Sequence, residues 1–77
     1  MQKEKKFVSL VVYLHNVEEY INFFLDKILP ICQNNFQEYE IVCVDDGCTD
    51  GTMEKLRTYI EKNEIKAMVN IIHMSFF

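Results

Sequence analysis

No run of apolar residues in this 77-residue chain approaches the roughly 20 that a bilayer-crossing helix requires, so no segment reads as a membrane span. The basic start Met1-Gln-Lys-Glu-Lys-Lys6 and the apolar run over 7–14 do not read as a secretory leader. That run contains Ser9 and ends in His15-Asn16 and an acidic pair, with no small-residue cleavage site. Glycine is scarce. Gly47 and Gly51 do not make the G-x-G-x-x-G pattern, and no Lys-Ser or Lys-Thr follows Gly51, which disfavours dinucleotide and phosphate-loop folds. The three cysteines (Cys32, Cys43 and Cys48) are odd in number and lack metal-ligand spacing, so neither a disulfide framework nor a zinc site is indicated. A reduced, cytoplasmic setting follows. Cys48 alone, beside a helix start, is a candidate for an activated thiol. Basic charge is also short: the net charge of −4 argues against a nucleic-acid partner. Repeats, low-complexity tracts and interdomain linkers are absent, which leaves one small domain.

Hydrophobic residues, in contrast, make up 49% of the chain, which excludes disorder. Residues 7–14 are rich in β-branched and aromatic types. Phe7, Val11 and Tyr13 point one way and Val8, Leu10, Val12 and Leu14 the other, the pattern of an interior parallel strand. Asn16 then reads as a helix cap with Glu19 in the capping-box position. Apolar residues from Tyr20 to Ile31 recur at spacings of three and four, and Pro30 is expected to bend or end that helix near 27–29. A polar loop is predicted over 33–38, a second strand over 41–45, and a second helix over 52–62. Met53, Leu56 and Ile60 form the buried stripe of that helix and Asn63 its stop. A third strand is predicted over 67–74.

Strands alternating with helices imply βαβ units and a parallel sheet. Right-handed crossovers give the strand order 3-2-1 with both helices on one face. The other face is then bare, although Val8, Leu10, Val12 and Leu14 are too apolar to meet water, and the outer edge of the first strand lacks a partner. Residues 6–77 therefore read as the first part of a larger domain, after a polar leader over 1–5. Alone, this piece is expected to self-associate as a dimer or oligomer.

The segment Glu40-Ile-Val-Cys-Val-Asp-Asp-Gly-Cys-Thr-Asp-Gly-Thr52 carries most of the chemistry. An apolar strand ends in two carboxylates, a glycine follows, and Thr49 or Asp50 can cap the next helix. Ligands of open α/β sheets bind at such strand tips, which makes Asp45 and Asp46 candidate site residues. The competing reading is that the pair only orders the loop through local backbone bonds, and capping is the main reading for Asp50. His15, at the first strand's tip, can stack on a base or be a loop histidine. Tyr13 is equally a base contact or a core aromatic. His73 reads as a structural residue of the third strand, away from the other tips.

Two motifs resemble the opening of family 2 glycosyltransferases, whose catalytic domains have the GT-A fold. One is Val8-Ser-Leu-Val-Val-Tyr-Leu-His-Asn16 followed by Val17-Glu18-Glu19. The other, longer and more specific, is Val44-Asp-Asp-Gly-Cys-Thr-Asp-Gly-Thr52. Tyr13 replaces the family's usual proline, His15 its usual tyrosine and Cys48 its usual serine. The resemblance implies a three-layer, Rossmann-like nucleotide-binding α/β domain, cut after the third parallel strand. It implies transfer of a sugar from a nucleotide-diphosphate sugar, a UDP-sugar first, to an acceptor. Asp46 would accept the uracil N3–H in a charge-assisted bond. Asp45 would anchor the turn or approach the ribose, and His15 and Tyr13 would flank the base. The divalent metal (Mg or Mn), its Asp-x-Asp ligands and the catalytic base would lie beyond Phe77, leaving this piece inactive alone. The whole protein would work in the cytoplasm or at the inner face of a membrane. Two other classes compete: a self-associating, non-catalytic module, and a receiver-like phosphoacceptor domain, whose acidic pair should follow the first strand rather than the second.

Overall fold

The computed structural model describes residues 4–74. Strand β1 spans Glu4–Leu14 and leads through a turn into helix α1, Ile21–Asn35. Strand β2 covers Phe36–Asp46 and helix α2 covers Thr52–Lys62. One 3-10 turn, Lys66–Met68, precedes strand β3, Val69–Met74. The strands are parallel and ordered β1-β2-β3. This is the βαβαβ arrangement expected from the alternation of strand and helix patterns.

Both helices lie on one face of the sheet. Ile21, Leu25 and Leu29 of α1 and Met53, Leu56 and Ile60 of α2 close over Leu14, Ile41 and Cys43 in a single apolar cluster. Leu10 and Val12 pack against it from the same side of β1. The described residues thus supply two of the three expected layers. The bare face differs from expectation. It carries Phe7, Val11 and Tyr13 at 58%, 52% and 68% exposure, while Val8, Leu10, Val12 and Leu14 point toward the helices. The strand containing the better apolar set buries it, because that set offers more area to remove from water. Across the middle of the bare face, Ser9 Oγ donates to Glu40 at 2.5 Å and Asn70 Nδ2 donates to Glu40 at 2.8 Å, a polar rung spanning all three strands.

Helix α1 does not end at Pro30. The proline lacks the N–H that would bond to the Asp26 carbonyl. Leu29 and Cys32 on either side are nevertheless buried at 7% and 3% exposure, and Pro30 itself faces solvent, so packing holds the helix through the missing bond. In the last turn Asn35 Nδ2 donates to the Ile31 carbonyl at 2.7 Å. The polar loop predicted over 33–38 is therefore absent: its first half is helix and its second half is strand. The predicted third strand likewise begins two residues late, after the 3-10 turn. Helix α2, in contrast, has the predicted bounds, with Asn63 as its C-cap.

Candidate functional site

The two adjacent carboxylates at the tip of β2 face opposite ways, since successive strand residues alternate between faces. Asp45 is in register with Leu14 and His73 and lies on the helix-covered side. Its Oδ1 accepts the Cys48 N–H at 2.9 Å and its Oδ2 lies 2.8 Å from His73 Nδ1. These bonds, the Cys48 amide first and His73 second, hold the Asp45 carboxyl below its usual range. The turn that Asp45 anchors contains Gly47 at φ +68, a left-handed backbone that glycine adopts without strain.

Asp46 is on the bare side. Among the described residues none donates to its carboxylate. Its carbonyl oxygen is instead 2.6 Å from His15 Nδ1, which must carry the proton because a carbonyl can only accept. His15 therefore joins the tip of β1 to that of β2 and presents Nε2 as an acceptor. Tyr13 is not a core aromatic: it is 68% exposed, in register with Val44, and shares its face with Asp46. It also borders an apolar hollow of about 180 Å³ at the edge of β1, with Val17, Tyr20 and Phe24. Three of the four candidates, Asp46, His15 and Tyr13, thus gather at one corner, and Asp45 stands behind them.

His73 is where the sequence reading fails. It was expected away from the tips, yet the β2–β3 register sets it directly opposite Asp45. On its far side Arg57 Nη2 approaches Nε2 at 3.4 Å. A carboxylate only accepts and a guanidinium only donates, so this arrangement puts the proton on Nδ1 and leaves Nε2 the acceptor. The signal that could have found it is simple. Both residues are the penultimate positions of adjacent parallel strands.

The loops behind the tips are tied to each other. Asn16 does not cap α1, whose N-cap is Tyr20 without a side-chain bond. It takes a left-handed φ of 49, and its Oδ1 accepts the Thr49 and Asp50 N–H groups at 2.8 and 3.3 Å. Nor does Glu19 complete a capping box: its neighbour Glu18 accepts the Gly51 N–H at 2.8 Å. Val17 N–H donates to Thr52 Oγ1 at 2.8 Å. Asp50 Oδ1 accepts from both Thr52 N–H and Thr52 Oγ, at 2.9 and 2.5 Å. Two of the free donors at the start of α2, the Gly51 and Thr52 N–H groups, thereby find carboxylate acceptors, which suit a helix N-terminus. Asp50 is held below the usual carboxylate range, by the Thr52 hydroxyl first. Asp50 accepts the Thr52 N–H from just outside the helix, whose N-cap position is Gly51. Thr49 contributes both its amide and its hydroxyl to the junction, the hydroxyl accepting from Asn16 Nδ2 at 3.3 Å.

Cys48 is no activated thiol. Burial pushes its pKa up, and Sγ lies 3.2 Å from the Leu14 carbonyl. Among the described residues no three His, Cys, Asp or Glu side chains converge on a position that could hold a metal ion. No described helix is long and apolar enough to cross a membrane. The phosphoacceptor alternative also finds no support, since Asp45 is engaged on both oxygens and β3 ends in His73-Met74.

The family model for glycosyl transferase family 2 matches residues 9–75, which includes both strand tips and the junction between them. The chain belongs to glycosyl transferase family 2. Among similar proteins, the undecaprenyl-phosphate 4-deoxy-4-formamido-L-arabinose transferase of Photorhabdus laumondii is 32% identical over 71 residues, 92% of this chain and 22% of the relative. The protein of the same name from Proteus mirabilis is 34% identical over 64 residues, 80% of this chain and 20% of the relative. The poly(ribitol-phosphate) beta-glucosyltransferase of Bacillus spizizenii is 35% identical over 57 residues, 74% of this chain and 9% of the relative. No solved structure matches the chain. This family 2 chain spans about a fifth of the length of the first relatives it matches.

Proposed function

We propose that this chain is the nucleotide-recognising part of a glycosyltransferase that moves a sugar from a nucleotide-diphosphate sugar, a UDP-sugar, to an acceptor. The observation that carries the reading is the Asp46 carboxylate, to which no described residue donates, on a backbone fixed from two sides. His15 holds its carbonyl, and the Asp45–Cys48 bond holds the turn that follows. A fixed carboxylate at a strand tip suits the uracil N3–H, because little orientational freedom is lost when the bond forms. Exposed Tyr13 and His15 on the same corner supply flat surface for the base. Asp45 has the supporting role of turn anchor rather than ribose contact, since both of its oxygens are occupied.

Residues 6–77 form the N-terminal portion of the catalytic domain in this reading. The divalent ion, Mg or Mn, and the catalytic base belong to residues outside this chain, which alone turns over no substrate. The far greater length of the relatives supports that division. Three free cysteines, two of them buried, support a reducing, cytoplasmic setting.

Titration of the chain with UDP, followed by NMR or calorimetry, tests the assignment. Asp46→Ala should weaken binding by about 1.5–3 kcal/mol, the worth of a hydrogen bond to a charged group. Equal affinity in the mutant and the parent chain would sink it.

A second reading concerns this chain in isolation. Phe7, Val11, Tyr13 and Ile72 are each at least half exposed on the bare face, and β1 has an open edge. Such a surface favours self-association. Light scattering that finds a monomer at high concentration would remove that reading.

A further inference from the structure

The side chains behind Asp46 form a relay of contacts that crosses three elements. Arg57 of α2 meets His73 Nε2 at 3.4 Å, His73 Nδ1 meets Asp45 Oδ2 at 2.8 Å, and Asp45 Oδ1 takes the Cys48 N–H at 2.9 Å. Asp46 lies inside the turn closed by that last bond, next to Gly47 at φ +68. Glycine places no steric restraint on such a turn, so its conformation depends on the Asp45 anchor. A carboxylate bonded through one oxygen can still rotate, whereas one bonded through both is fixed. The His73 side chain itself is 56% exposed, so it fills little of the core and its removal leaves no cavity of consequence. Its contacts bear on orientation more than on stability.

We propose that His73 is a positioning residue of the nucleotide site, fixing the Asp45 carboxylate and, through the turn it anchors, the direction of the Asp46 carboxylate. This rests on the reading of Asp46 as the acceptor for the base. His73 reaches no ligand itself, and Arg57 holds the ring from behind.

The test uses the 77-residue chain and its His73→Leu and His73→Asn variants, titrated with UDP and melted in parallel. Leucine removes the Nδ1 donor, whereas the asparagine amide offers an N–H close to the same place. His73→Leu should weaken UDP binding about five- to tenfold with little change in melting temperature, and His73→Asn should bind within about twofold of the parent. Hydrogen exchange at the Cys48 amide should quicken in the leucine variant and recover in the asparagine variant. Equal UDP affinity in all three chains would overturn the positioning role while leaving the Asp46 assignment intact. Failure of asparagine to restore affinity lost in the leucine variant would also overturn it, because a role independent of the Nδ1 bond would then be at work. Failure of the parent chain to bind UDP would overturn the Asp46 reading, and this inference with it.

Discussion

One face of the sheet lies under two helices and the other has no covering element among the described residues, and the two acidic residues at the tip of β2 fall one on each side. On the covered side the Asp45 carboxylate is held through both oxygens, by the Cys48 amide and the His73 imidazole, and Arg57 backs that imidazole. On the bare side no described residue donates to the Asp46 carboxylate, and its aromatic neighbours Tyr13 and His15 are exposed. The same residue type, one position apart, therefore serves opposite ends. On the covered side the turn and strand β3 bring partners to Asp45, with α2 behind them, and make it structural. A side chain on the open side keeps its hydrogen-bonding capacity for a ligand.

The sharpest way to break this contrast is in the core. Leu56 is fully buried, and Leu56→Ala should cost about 2–5 kcal/mol in a urea titration. A loss below about 1 kcal/mol would mean that the helices do not close on the sheet as described. Gly47→Ala comes next. A Cβ there meets no atom within 4 Å, so the cost is that of the left-handed backbone alone, about 1–2 kcal/mol, and UDP affinity should fall with the turn. Equal stability would show that the turn relaxes freely.

Acid should then probe the covered carboxylate. Asp45 is held below its usual range in the folded chain. Its stabilising contribution is present above the ordinary aspartate value of about 3.9 and is lost as pH falls through the lowered folded value. Stability measured between pH 6 and pH 2 should decline less steeply in Asp45→Asn than in the parent, and parallel curves would remove Asp45 from the account. The smallest effect is expected on the open face. Val11→Ala, at 52% exposure, should change stability by less than about 0.5 kcal/mol at low concentration. A larger loss that grows with protein concentration would show that a second copy covers the face.

Much of the fold was legible in the sequence where local signals agreed with packing. Helix α2 has the bounds predicted from its apolar stripe and from Asn63, and the strand-helix alternation led correctly to a parallel sheet with both helices on one side. Errors arose where a local rule met a stronger long-range one. Pro30 was expected to bend or end α1, and the helix does not end there, because buried Leu29 and Cys32 hold the chain helical through it. Asn16 has the right neighbours for a capping box, but its side chain is drawn 33 residues along the chain to the Thr49 amide. The candidate site was half legible. The motif around Asp45 and Asp46 marked the place, but His73 was set aside because nothing near it in sequence suggests a partner.

From the sequence alone came the family's two motifs and the order of elements, since strand and helix periods and turn residues are local properties of the chain. Only the tertiary structure decided which of the two faces is covered. It also decided that His73 meets Asp45, because the register between two parallel strands is set by packing across a crossover helix rather than by either strand.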